Sequence, residues 1–458
     1  MCGIFGISGH ANAAAMTHLG LYSLQHRGQE SAGIVSTNVD GAVHGIRAMG
    51  LVSDKFTDAA MQELTGPVAL GHTRYSTAGS STIENAQPVM VRFRGGHIVL
   101  AHNGNLTNAT EIRESLEDQG SIFSSTMDSE VLVHRLAKSR QLTPEAKVAE
   151  ALEGVEGAYS LLVMIGSTLV AARDPYGWRP LVMGKAGDAT VFASETCALD
   201  ITGAQVVRDV KPGEIVAVET DGTLRTLERD PARDLHRCVF EYVYFARPDS
   251  RVFGGSVDRA RRALGRRLAQ EHPAPGADFV FSVPDSSNSA ALGFSEESGL
   301  PLELALIRNH YVGRTFIQPT QSGRDAKVKV KFNAVREILQ GKSVVMVDDS
   351  IVRGTTTRGL VSLIRAAGAR EVHMRVSSPP ITGPCYYGID TPDKAQLIAA
   401  NHTVDEIARK IGVDSLGYLS LEGMLGAVPG GPHGFCEACF SGRYPTKAPS
   451  VPTKLRLG

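Results

Sequence analysis

The sequence predicts a mixed chain, an α+β region of packed sheets and helices followed by an α/β region built on a parallel sheet. The first half alternates short apolar strands (VALGHTRYS, HIVLAHNGN, AYSLLVMIG, TLVAARD, TVFASE) with helical patterns at Glu111–Gln119 and Ser129–Leu136, which suits two packed sheets between helix layers. In the second half, Val344–Thr357, VVMVDDSIVRGTTT, reads as a buried strand, a loop and a helix start. Val280–Asn288, VFSVPDSSN, is another strand running into a polar turn.

The length of 458 residues suits two or three domains. A net charge of -1 offers no basic field for nucleic acid. No apolar run reaches the ~18 residues of a membrane span, and MCGIFGISGH lacks the basic start and apolar core of a signal peptide. The expected location is the cytoplasm. Six cysteines in such a chain point to chemistry or metal rather than a disulfide framework.

The strand of Val344–Thr357 delivers two adjacent carboxylates, Asp348 and Asp349, to the carboxyl end of a sheet, where open α/β sheets bind ligands. Ser350, Arg353, Gly354, Thr355 and Thr356 follow at a helix N-terminus, which attracts phosphate through its free N–H groups and dipole. A P-loop is excluded, because no Gly-Lys-Ser/Thr follows the strand. The stretch resembles the PRPP-binding signature of type I phosphoribosyltransferases. The resemblance implies that the acidic pair holds the ribose hydroxyls or a metal, and that the loop holds the 5-phosphate. It also makes Asp285, Ser286 and Ser287 the pyrophosphate loop, with Ser286 joining Asp348 and Asp349 around Mg²⁺.

At the other end, Cys2 becomes the first residue if Met1 is removed, and then carries a thiol and an α-amine able to act as its base. Four segments accompany it: His26–Gly33, Gly71–Gly79, Ala101–Leu106 (AHNGNL) and Met127–Glu130. They resemble, in order, the motifs of class II glutamine amidotransferases, whose fold is that of N-terminal nucleophile hydrolases, an αββα sandwich. The resemblance makes Cys2 the nucleophile, with Asn103 and Gly104 as oxyanion donors. Arg74 and Asp128 would hold the α-carboxylate and α-ammonium of glutamine, with Arg27 supporting the Arg74 region. His26, His72 and His102 read as structural. Asp174–Leu181, DPYGWRPL, resembles a structural element of the same domains.

A boundary is expected between 2–232 and 233–458. Cys238–Ser250, CVFEYVYFARPDS, then resembles a segment of the amidophosphoribosyltransferases. Gln318–Glu337 carries Arg324, Lys327, Lys329, Lys331 and Arg336, and reads either as a solvated basic loop or as a lid closing over pyrophosphate. Spacing alone leaves Cys238, Cys385, Cys436 and Cys439 open to zinc or a [4Fe–4S] cluster. All four match the cluster ligands of an iron–sulfur subgroup of that family, and Cys197 does not.

The family resemblance spans Cys2 to Tyr444. It implies hydrolysis of glutamine, passage of ammonia to C1 of PRPP, and the first step of purine synthesis. Purine nucleotides are the expected inhibitors and a homotetramer the expected assembly. A regulatory binding protein that lost turnover, or another glutamine amidotransferase, are the competing readings. Intact Cys2, Arg74, Asn103, Gly104 and Asp128 argue against the first, and the PRPP loop against the second.

Overall fold

The structure, a computed structural model, describes residues 1–448 apart from 39, 77–78, 229–233 and 311–329. Two antiparallel sheets dominate the first half. The seven-stranded sheet runs Gln205–Asp209, Val182–Ala186, Ala189–Ala193, Gly3–Ser8, Val68–Arg74, Ser31–Thr37 and Val43–Met49. The six-stranded sheet runs Leu224–Glu228, Glu214–Val218, Thr168–Arg173, Gly157–Ile165, Gly96–Leu106 and Val89–Phe93.

Ile4, Leu70 and Phe192 of one sheet pack against Val99, Leu162 and Val216 of the other, so a single apolar layer fills the space between them. The outer faces are covered by helices. Ala13–Ser23 and Thr196–Ile201 lie over the first sheet, and Ala109–Asp118, Glu130–Lys138 and Pro144–Ala151 over the second. Strands such as Gly157–Ile165 are therefore buried on both faces and read as continuous apolar runs.

The second half holds a four-stranded, wholly parallel sheet in the order Phe279–Ser282, Ser343–Asp348, Glu371–Val376 and Ser415–Tyr418. Helices Val257–Glu271, Asn288–Ser298, Thr355–Ala366 and Val404–Ile411 flank it. The helix Thr355–Ala366 stops just before Gly368, which takes φ +101°. No helix among the described residues is long and apolar enough to cross a membrane.

Candidate functional site

Cys2 precedes the strand Gly3–Ser8, which pairs with Val68–Arg74 in the register Gly3 to Thr73. That pairing brings Arg74 beside the N-terminus. The strand Gly96–Leu106 of the other sheet supplies Asn103, whose Oδ1 accepts from the Cys2 backbone N–H at 3.3 Å. Among the described residues the buried Asn103 Nδ2 has no hydrogen-bond partner. A buried amide donor left unmade costs free energy, and it is what an oxyanion beside Cys2 would use. Gly104 follows at φ +156°, and a Cβ there would stand 2.0 Å from the Ala158 carbonyl oxygen. Only glycine fits that position. The Cys2 thiol points to the Tyr75 carbonyl at 3.7 Å.

Arg74 is almost fully buried; its Nη1 donates to the Ser80 carbonyl at 3.0 Å, with Glu30 at 3.9 Å. Asp128 accepts from the backbone N–H groups of Leu106 and Ser129, each at 2.8 Å, and faces His102 Nδ1 at 3.6 Å. Burial pushes the Asp128 carboxyl up, but His102 and the two N–H donors outweigh it and hold it below the usual range. For His102 burial is likewise outweighed by Asp128, and its pKa rises. His72, buried with its Nε2 on the His102 carbonyl, is pushed down to about 3 and stays neutral. His26 pairs with Glu195 at 2.7 Å.

Arg27 does not join Arg74. Its guanidinium donates to Glu195 Oε1 at 2.5 Å, to both oxygens of Glu241 at 3.0 and 2.8 Å, and to the Cys2 carbonyl at 3.0 Å. Glu195 also accepts from the Arg247 backbone N–H and from Ser250 Oγ, at 2.9 and 2.7 Å. Arg179 reaches Glu241 at 3.3 Å. Sequence reasoning missed this buried group. Its one signal was Glu241, a charge inside the apolar run CVFEYVYF, which folding tolerates only with partners.

The parallel pairing of Phe279–Ser282 with Ser343–Asp348, Ser282 opposite Val347, brings the two candidate loops together. Ser286 Oγ donates to Asp349 at 2.6 Å, Ser287 Oγ to Asp348 at 3.2 Å, and Ser350 Oγ to Asp349 at 2.6 Å. Burial, then the Asp349 charge, raises the Asp348 pKa well above the usual carboxylate value; burial also raises Asp349. Among the described residues neither carboxylate forms an ion pair with Arg, Lys or His. Gly354 caps the helix Thr355–Ala366 at φ +74°. Asp285 pairs with Arg308, and Arg353 Nε donates to Gln396 at 3.0 Å, leaving both loops at the surface. The expected lid residues Arg324, Lys327 and Lys329 lie outside the described residues, while Lys331 and Arg336 are described.

Three segments carry four neighbouring thiols. Cys238 lies opposite Cys436 in a short parallel pair of strands. The Cys439 carbonyl accepts from the N–H groups of Thr382 and Gly383, at 2.9 and 3.0 Å, which brings up the segment of Cys385. Burial pushes Cys238 up to about 11; burial and the other thiols push Cys436 and Cys439 higher. Among the described residues no group of three His, Cys, Asp or Glu is set to hold one metal ion. Cys197 stands apart, 3.8 Å from Glu195.

Residues 72–200 match the family model described as a glutamine amidotransferase domain. The chain is 48% identical to the amidophosphoribosyltransferase of Bacillus subtilis, covering 97% of this chain and 94% of that one. It is also 48% identical to that of Archaeoglobus fulgidus, over 98% and 99% of the two chains. Among solved structures, one described as the allosteric regulatory enzyme of purine biosynthesis superposes with a TM-score of 0.94 at 47% identity over the whole of both chains. The B. subtilis glutamine PRPP amidotransferase, solved with ADP and GMP, gives 0.92 at 46% identity over 99% of this chain and 100% of that one. With relatives this similar over nearly its whole length, the chain belongs to the amidophosphoribosyltransferase family.

Proposed function

We propose that this chain hydrolyses glutamine at Cys2 and delivers the ammonia to C1 of PRPP, giving 5-phosphoribosylamine, pyrophosphate and glutamate. The observation that carries the reading is the unpartnered Asn103 Nδ2 beside Cys2, in a chain that also gathers Asp348, Asp349 and Ser286 at a strand end. Once Met1 is removed, the Cys2 α-amine takes the thiol proton. The thiolate adds to the glutamine amide carbon, and Asn103 and the Gly104 N–H meet the resulting oxyanion. Ammonia leaves, a thioester remains, and water hydrolyses it to glutamate. Arg74 and Asp128 hold the two ends of the amino acid. Arg27 serves Cys2 by gripping its carbonyl.

At the second centre two adjacent carboxylates, neither of them in an ion pair among the described residues, fit Mg²⁺ held with Ser286, and the ion, when bound, would offset charge on the departing pyrophosphate. Ser287 and Asp285 aim donors and backbone at that group; Ser350, Arg353, Gly354, Thr355 and Thr356 hold the 5-phosphate. Cys238, Cys385, Cys436 and Cys439 fit a [4Fe–4S] cluster as an all-thiol set from three segments, tying the C-terminal segment to the second half. The reading carries with it a division near residue 232, a cytoplasmic location, a homotetramer and inhibition by purine nucleotides.

Cys2→Ala is expected to abolish glutamine-dependent turnover and keep turnover with added ammonia, measured as pyrophosphate release. Loss of both in folded protein refutes the two-centre reading, as does active enzyme whose intact mass retains Met1.

A further inference from the structure

The loop from Cys385 to Asp390 lies against the strand that carries the proposed oxyanion donors. Asn105 Nδ2 donates to the Tyr386 carbonyl at 2.9 Å. Gly388, at φ +102°, comes so close that a Cβ on it would stand 2.8 Å from the Gly104 carbonyl carbon. Between them the Tyr387 carbonyl accepts from Arg179 Nε at 2.9 Å, and the Tyr387 ring stacks on Trp178 with centroids 4.4 Å apart and planes 14° apart.

Asn103 and Asn105 share one face of the strand Gly96–Leu106, because strand side chains alternate with a period of two. One of them meets Cys2 and the other meets the loop. The loop thus clamps the strand on the residue after Gly104 and on Gly104 itself. Asn105 is 2% exposed, so little of its side chain meets solvent.

We propose that Asn105 is a positioning residue for glutamine hydrolysis. Through the Tyr386 carbonyl it fixes the strand so that Asn103 and Gly104 stand where the oxyanion forms. The proposal rests on the reading of Cys2 and Asn103 given above. Its physical basis is that donors must be preorganised before charge develops, and a displacement of about 1 Å costs up to ~100-fold in rate.

Asn105→Asp keeps the size of the side chain, removes its N–H donor and sets an oxygen against the Tyr386 carbonyl. Expected is a fall of about 10- to 100-fold in kcat with glutamine. KM for glutamine changes by less than about threefold, since Arg74 holds the substrate carboxylate from the strand Val68–Arg74. Turnover with added ammonia stays at the wild-type level. Glutamate γ-semialdehyde, whose carbonyl carbon takes the Cys2 thiolate and whose oxygen becomes the oxyanion, binds more weakly in step with kcat, while glutamate binds as before. Gly388→Ala gives the same pattern from the other side of the contact.

Wild-type kcat with glutamine in folded Asn105→Asp overturns the proposal, and so do equal losses of the glutamine- and ammonia-dependent activities. If Asn105→Asp does not accumulate folded, Asn105→Gln and Gly388→Ala are judged by the same criteria. Cys2→Ala, run alongside, separates the two claims. Glutamine turnover surviving in that variant refutes the reading of the site, whereas its loss together with full activity of Asn105→Asp refutes this inference alone.

Discussion

Asp348 and Asp349, the proposed cation ligands, are a burden to the free fold. Burial and mutual repulsion raise the Asp348 pKa well above its ordinary value of 3.8. A carboxyl whose folded pKa is raised binds its proton more tightly in the native state than in the unfolded chain. Stability is therefore lost as pH climbs from the unfolded value through the folded one. Asp348→Asn removes that charge, so its apo-protein is expected to melt above wild type at pH 8, with the difference vanishing near pH 3.5. The same variant loses at least about tenfold in PRPP turnover, because Asn cannot supply a carboxylate to a hard cation. Thermal melts at the two pH values and PRPP kinetics check the two halves; wild-type kinetics would sink the assignment.

At the scale of elements, the segment Glu241–Phe245 and the following turn are held to the first half by buried charge. Glu195 accepts from His26 and Arg27 on one side and from Arg247 and Ser250 on the other. Burial alone would raise its pKa; His26 and then Arg27 outweigh burial and depress it far below 4.5. A depressed carboxyl contributes stability that is present above about 4.5 and lost as pH falls through the folded value. Glu195→Gln leaves Arg27 facing one carboxylate in place of two, at a cost of about 3 kcal/mol at neutral pH. The deficit relative to wild type shrinks as the pH is lowered from 7 toward 3. Denaturant titrations at several pH values measure it; a deficit independent of pH would remove Glu195 from this role.

At the scale of the whole molecule, the proposed cluster ligands lie far apart in sequence. A cluster held by Cys238, Cys385, Cys436 and Cys439 would close large chain loops, and its binding would be part of the folding free energy. Cys436→Ser is expected to give insoluble or easily proteolysed protein. Cys197→Ser, at a thiol outside the proposed ligand set, is expected to be nearly neutral and to leave the colour and sulfide content unchanged. Protein purified without oxygen should be brown and contain acid-labile sulfide, and air should bleach it and lower its melting temperature. Stoichiometric zinc without sulfide decides against the cluster and leaves Cys2 and Asp348 untouched.

Short contiguous patterns were legible in the sequence because their physics is local. Apolar runs such as VVMV mark buried strands, the Asp pair with Gly354 and its threonines marks a strand end meeting a helix start, and HNGN sets Asn103 beside a glycine that no other residue replaces. The strands Val43–Met49 and Gln205–Asp209, half exposed at sheet edges, carried no such run and were missed. The family resemblance sets Arg27 beside the Arg74 region; only folding shows its charge meeting Glu195 and Glu241, 168 and 214 residues away. Periodicity tells which face of an element is buried but not what it is buried against. So the sequence by itself marked the buried strands and offered Cys2 and the loops at Ser286 and Asp348 as candidates. The tertiary structure decided the contact of Asn105 with Tyr386 and the partners of Arg27, because both arise where chain segments distant in sequence are packed together and every buried polar group must find a partner.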